Sequence, residues 1–202
     1  LATGSIERPL VFPGNDKPGV MLASAVRDYV KLYGVAAGDR TVIITNNDDA
    51  YRTALDLHLA GLSVPAIIDL RDSSNGRLVL EAREVGIKVK NGKGIAGIAG
   101  KNHVKSVSLC SQHGSGTVTE IIDCDVVAMS GGWSPVVHLW SHCGGKLSWD
   151  SEKAMFVPNI DIGPVGDDGE RFVYTVGGVS GHSTTRTCVE SSISTALMVT
   201  KD

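Results

Sequence analysis

The tightest constraint on this chain lies between residues 41 and 69. Thr41-Val42-Ile43-Ile44-Thr45 and Val64-Pro65-Ala66-Ile67-Ile68-Asp69 are short apolar runs. Ala50 to Ala60 between them reads as a helix ended by Gly61, after a turn of N-cap chemistry at Asn46-Asn47-Asp48-Asp49. Continuous apolar runs of this length suit strands buried on both faces of a parallel sheet. Parallel strands need a crossover, and about 30 residues is the length of a strand–helix–strand unit. Asp72 to Gly86 then reads as another capped helix and Ile87-Lys88-Val89 as a third parallel strand. The predicted fold class is α/β, a Rossmann-like parallel sheet with helices.

The flanking segments have a different texture. Prolines at 9, 13 and 18 make residues 1–20 an extended connector. Met21 to Tyr33 has apolar residues near helical spacing, with Gly34 to end the helix. Gly94 to Ala99, Val104 to Cys110 and Thr117 to Ile122 predict an antiparallel β-meander. Asp125 to Met129 reads as a buried strand stopped by Ser130-Gly131-Gly132, followed by a short helix over Val136 to Cys143. Lys146–Trp149 and Phe156–Pro158 suggest a hairpin. Phe172 to Val176 predicts a last strand running into Gly177-Gly178-Val179-Ser180-Gly181, with a helix from about Thr184 to Val199. The expected division is a connector and first-half remnant at 1–20, an inserted Rossmann-like domain at 21–123, and the remainder of an outer nucleotide-binding domain at 124–202.

Composition excludes several classes. A net charge of −3 over 202 residues leaves no electrostatic footprint for nucleic acid or anionic membrane. No apolar run approaches the roughly 20 residues of a membrane helix. Four cysteines without a CxxC spacing read as reduced thiols of a cytoplasmic protein.

The order of a Thr3-Gly4 turn, the strand–helix–strand unit, the meander, a strand with a GGxxP turn and a late GGxxG turn resembles the two-dinucleotide-binding-domain flavoproteins. Four blocks are similar to the alpha subunit of heterotetrameric sarcosine oxidase. They are Glu7 to Asp16 (ERPLVFPGND), Thr45-Asn46-Asn47-Asp48, Val127 to Pro135 (VAMSGGWSP) with His138-Leu139, and Gly144-Gly145-Lys146-Leu147. The resemblance implies oxidative demethylation of sarcosine to glycine, formaldehyde and hydrogen peroxide. It implies FMN and FAD in an intact complex with beta, gamma and delta subunits, and NAD on the alpha subunit. It also makes the chain, which opens on Leu1 without a preceding GxGxxG half, an expected internal piece of that subunit. Such a piece is expected to bind no flavin, to need its missing N-terminal half for NAD, to be inactive alone, and to self-associate through exposed apolar edges.

Candidate sites follow from glycine placement. The 45–50 turn stands where a dinucleotide fold places GxGxxG, yet carries no glycine. Asp48 and Asp49 there complement the helix macrodipole themselves and would repel a diphosphate, which favours a scaffold. Asp69, at the end of the second strand, stands where an acid could bind an adenosine ribose. Gly177, Gly178, Ser180 and Gly181 form a turn before a helix that suits either an anion site or plain helix–strand packing. In flavin-binding relatives an Asp stands at the Gly178 position, so Gly178 argues against FAD and is compatible with NAD. Thr3, Gly4, Gly131 and Gly132 end strands at the crossings between domains and are supporting cofactor-side residues. His138, His142 and Cys143 have metal-like spacing without a third ligand or an HExxH glutamate, and are read as packing residues. Ser180, His182 and Asp167-Asp168 lack a nucleophile elbow and form no triad. No catalytic residue is assigned.

Two further readings stay beside this one. One is a structural module that binds no nucleotide and assembles subunits. The other is an NAD(P)H-dependent flavoprotein reductase of the pyridine nucleotide–disulfide type, against which the missing glycines at 45–50 speak.

Overall fold

The computed structural model describes residues 1–200; the last two residues of the expected 124–202 segment lie outside them. In chain order the strands and helices are β1 (Ser5–Glu7), β2 (Val20–Leu22), α1 (Ala23–Tyr33), β3 (Thr41–Thr45), α2 (Asp49–Leu59), β4 (Ile67–Asp69), α3 (Arg77–Glu84) and β5 (Val89–Asn91). The meander follows as β6 (Lys93–Ala99), β7 (Ser106–Ser111) and β8 (Glu120–Asp123). Then come β9 (Val126–Ser130), β10 (Trp133–Pro135), α4 (His138–His142), β11 (Leu147–Asp150), β12 (Met155–Pro158) and α5 (Thr185–Val199).

The chain divides into two compact units, Glu7–Gly132 and Leu1–Ile6 with Trp133–Asp202. The first is built on a five-stranded sheet of order β2-β9-β3-β4-β5, parallel at every pair. Alternation along its strands explains why the runs are apolar throughout. Ile43, Ile67, Val126 and Ala128 pack with α1, α2 and α3 through Val26, Ala54, Leu57 and Val79. Their neighbours Val42, Ile44, Ile68, Val127 and Met129 pack with Val107 and Leu109 of the meander. A parallel sheet covered on both faces has no solvated side on which polar residues could alternate. The expected antiparallel meander forms as β6-β7-β8.

β9 departs from the expected division. The sequence assigned 124–202 to the outer remainder, but β9 runs between β2 and β3 in the sheet of Glu7–Gly132. Its five residues are all buried, and a strand buried on both faces needs neighbours on both sides. The expected helix start also shifts, because Val20–Leu22 pairs with Val127–Met129 before α1 begins. α1 has no side-chain cap of its own at Leu22. Glu7, 17 residues upstream, supplies one: its Oε2 accepts the Ser24 N–H at 2.9 Å and the Ser24 hydroxyl at 2.6 Å.

In the second unit β1 pairs with β10, and β11 with β12 antiparallel. Trp140 of α4 is its largest buried side chain, with Nε1 donating to the Lys146 carbonyl at 2.7 Å. The expected strand at Phe172–Val176 does not form. Val176 is extended, but the segment's backbone partner is Leu1 alone, whose carbonyl accepts the Val176 N–H at 2.9 Å and whose ammonium donates to the Tyr174 carbonyl. One residue of partner is too short for a strand.

Candidate functional site

Two constellations carry polar groups that the sequence singled out. The first lies at the carboxyl ends of the parallel strands in Glu7–Gly132. The chain leaves β3 toward β4, while the strand on the other side of β3 is β9, reached only after the meander. In open α/β sheets such a switch point is the place a ligand takes, in the crevice beyond the strand ends.

Here that crevice holds side chains. Asn47 Nδ2 donates to the Ser130 carbonyl at 3.2 Å and to Ser130 Oγ at 3.0 Å, bridging the ends of β3 and β9. Asn47 Oδ1 in turn accepts the Asp49 N–H at 3.1 Å, so the first amide of α2 is satisfied by a side chain of the same turn. Asp49 also meets Arg27 of α1 at 3.3 Å.

One strand over, Asp69 is fully buried. Its Oδ1 accepts the Arg71 backbone N–H and Nε, both at 3.0 Å. Its Oδ2 accepts the Tyr51 hydroxyl at 2.6 Å and Arg71 Nη2 at 2.8 Å. The same Nη2 donates to Asp48 Oδ1 at 2.8 Å. Ser74 Oγ lies 3.2 Å from the Tyr51 oxygen and accepts Asn91 Nδ2 at 2.8 Å. Burial, and then the hydrogen bond to Asp69, push the Tyr51 phenol far above its ordinary range. The hydrogen bond to Asp69 raises Arg71 further still, against the desolvation that opposes it. Asp48 and Asp69 stood out from the sequence; Arg71 and Tyr51 did not. The available signal for Arg71 was its position two residues beyond the strand-end acid.

The second constellation lies in the other unit, where the Thr3-Gly4 and Gly177–Gly181 turns meet. A Cβ on Gly178 would stand 3.2 Å from the backbone of Gly4 and from Ser5 Oγ, so the two turns touch backbone to backbone. A side chain there would crowd the Gly4 backbone, which would have to give by a few tenths of an ångström. Thr3 Oγ1 donates to the Val136 carbonyl at 2.7 Å and Ser180 Oγ to Thr175 Oγ1 at 3.0 Å. Both hydroxyls are therefore engaged, and what the turns offer a ligand is backbone. Gly177 to Ser180 form a 3-10 turn separate from α5. The leading amides of that turn have no partner inside it, whereas the Gly181 N–H is spent on the Gly178 carbonyl. α5 begins only at Thr185, with Thr184 Oγ1 accepting the Thr187 N–H. The anion donors expected at one helix start are thus split between two short elements.

Gly131 and Gly132 fall in Glu7–Gly132 instead. The Gly131 N–H donates to the Arg8 carbonyl at 2.7 Å, and a Cβ on Gly131 would stand 2.9 Å from the Pro9 oxygen. Close backbone approach accounts for that glycine. His138 and His142 bound α4 with Cys143 after it, and among the described residues no group of three or more His, Cys, Asp or Glu could hold a metal ion. Cys124 is buried, and burial with Asp125 beside it pushes its thiol up to about 12. Among the described residues no helix is long and apolar enough to cross a membrane.

The fold is that of the two-dinucleotide-binding flavoprotein reductases. Thioredoxin reductase of Lactococcus lactis matches it with a TM-score of 0.67, covering 99% of this chain and 64% of that chain at 20% identity. A likeness at that identity shows the fold alone, and no family model matches the chain.

Sequence relatives narrow the class. Sarcosine oxidase subunit alpha of Rhizobium meliloti (strain 1021) is 45% identical over 157 residues, 78% of this chain and 15% of the relative. The subunit of that name from Corynebacterium sp. (strain P-1) is 40% identical over 166 residues, 80% of this chain and 17% of the relative. The chain is homologous to one stretch of the sarcosine oxidase alpha subunit, an oxidoreductase subunit, and spans 15 to 17% of the length of these two relatives.

Proposed function

We propose that this chain is the part of a sarcosine oxidase alpha subunit that holds NAD in the unit of Leu1–Ile6 with Trp133–Asp202 and acts as scaffold for the complex. The observation that carries the reading is the 45% identity to the Rhizobium meliloti subunit over 78% of the chain. The reaction of the whole enzyme would be the oxidative demethylation of sarcosine to glycine, formaldehyde and hydrogen peroxide. Its flavins, and its beta, gamma and delta partners, belong to the intact complex. The chain's own contribution would be binding.

The glycine turns suit a dinucleotide in one respect and limit it in another. Gly4 has open space where a side chain would stand, and the leading amides at Gly177 and Gly178 are the donors a pyrophosphate needs. Gly178 carries no carboxylate of the kind a flavin site would use at that position, and a side chain there would crowd Gly4, which supports NAD over FAD. When bound, NAD would supply hydride-transfer chemistry; these residues would only bind and orient it.

The test is nucleotide release from the native complex containing the full-length subunit. On denaturation the wild-type complex is expected to release NAD that the Gly178→Leu variant, assembled to the same size, has lost. FAD released from this subunit, or NAD retained undiminished by the variant, would overturn the assignment.

A further inference from the structure

β11 and β12 pair with Trp149 opposite Phe156 and Asp150 opposite Met155. Alternation along the strands gives this hairpin two faces. Met155 and Val157 lie on one of them. A Cβ added at Gly181 would stand 3.1 Å from Met155 and 3.0 Å from Val157, so this face packs on the Gly177–Gly181 turn. Trp149 and Phe156 lie on the other face, edge to face with ring centroids 4.9 Å apart. That face is uncovered: Trp149 is 56% and Phe156 53% exposed. At the open end of the hairpin, Ile160 and Ile162 are exposed in a turn tied to Lys146 by two backbone hydrogen bonds. A single exposed apolar residue needs no explanation, but an aromatic pair with two isoleucines beside it is the composition of an interface centre.

Charge narrows what can cover this face. From Lys146 to Phe172 the chain carries six acids and three bases. Two of the bases are turned onto carbonyls of the same unit: Lys153 Nζ donates to Gly181 at 3.1 Å, and Arg171 Nη2 donates to Ile160. Glu152 is exposed at the closed end of the hairpin, and Asp161 between the two isoleucines. Asp167, Asp168 and Glu170 are exposed on the next turn, which the Val165–Arg171 bridge closes. A second copy of this chain would set acids against acids, which costs free energy at an interface. Nucleic acid and anionic membrane would be repelled for the same reason. We propose that the outer face of β11–β12 docks another subunit of the oxidase, on a surface with an apolar centre and a rim of Lys and Arg. Trp149 and Phe156 are the anchors, and the acids steer the approach and set the orientation. The inference rests on the reading of this chain as part of a multisubunit enzyme.

The experiment uses the full-length alpha subunit co-expressed with beta, gamma and delta subunits, carrying the photo-crosslinker p-benzoylphenylalanine at position 156. Irradiating the purified complex is expected to join that position to a Lys- or Arg-containing peptide of another subunit, identified by mass spectrometry. A crosslink to a second alpha subunit, to another stretch of the same subunit, or to no protein would overturn the proposal. Trp149→Ser combined with Phe156→Ser is expected to weaken retention of the crosslinked subunit at least about tenfold, a step readable on the affinity scale. Glu152→Lys combined with Asp161→Lys leaves the aromatic pair in place, and is expected to slow association at low salt and flatten its salt dependence. Either folded variant holding its partner as wild type does would overturn the docking site. If the wild-type subunit co-purifies with no other subunit, the multisubunit reading itself fails. A wild-type complex that these variants leave unchanged defeats the docking site alone.

Discussion

Tyr51 links the core of the inserted unit to its polar edge. The side chain is fully buried, and its hydroxyl donates to Asp69. Burial and that bond favour the neutral phenol, so its value in the folded protein lies above the unfolded value of about 10. The stabilisation is fully present below the unfolded value and is lost as pH rises above it toward the folded one. Chemical denaturation should therefore give a level stability from neutral pH to about 9, then a decline that is shallower in Tyr51→Phe. At neutral pH the same substitution should cost about 2 kcal/mol, the scale of a hydrogen bond to a charged group. Little of this site was legible in residue order. Asp69 could be found as an acid at a strand end, and Asp48 as a carboxylate in place of glycine. Tyr51 lay unmarked inside the helix read over Ala50 to Ala60, because its partner lies 18 residues on. Glu7 sat in a segment read as connector, although it caps a helix 17 residues downstream.

Elements whose partners are near in sequence were legible, and those paired at long range were not. β3, α2 and β4 followed from two apolar runs and a helix between them, and the meander from short runs broken by Gly, Asn and Ser. β9 was visible as a strand, but its place beside β3 was not, because each paired residue lies 85 positions from its partner, as in the pairing of Thr41 with Val126. Phe172–Val176 erred the other way. Its β-rich composition says nothing about whether a partner strand exists, and strand propensity reflects a fit to neighbours. The same logic sets the mutational cost in β3. Ile43 is completely buried against α1, α2 and α3, so Ile43→Ala should destabilise the unit by about 2–5 kcal/mol. Urea unfolding of Glu7–Gly132 resonances gives that difference, and a loss below about 1 kcal/mol would mean the helical layer closes over the deletion.

At the scale of the molecule, apolar burial is uneven. Both large hydrophobic clusters belong to Glu7–Gly132. In the other unit the buried apolar side chains among the described residues are Trp140, Met155 and Val179, with Pro135, Pro158 and Pro164. α5 buries none, and leaves Val189, Ile193 and Leu197 exposed at helical spacing on one face. Amide exchange should be slowest in β3 and β9 and fast throughout α5, since local opening follows buried contact. The exposed face should also make the chain self-associate as concentration rises. Uniform protection across both units in a strictly monomeric chain would contradict both expectations.

The entry and exit of the inserted unit are hydrogen-bonded to each other: the Arg8 N–H donates to the Gly132 carbonyl at 2.8 Å, and the Gly131 N–H returns to the Arg8 carbonyl. A unit whose two ends meet can be carried as a cassette. A gene could acquire or discard such a segment in one recombination event, since the host strands would be left facing each other across a gap that a short turn could bridge.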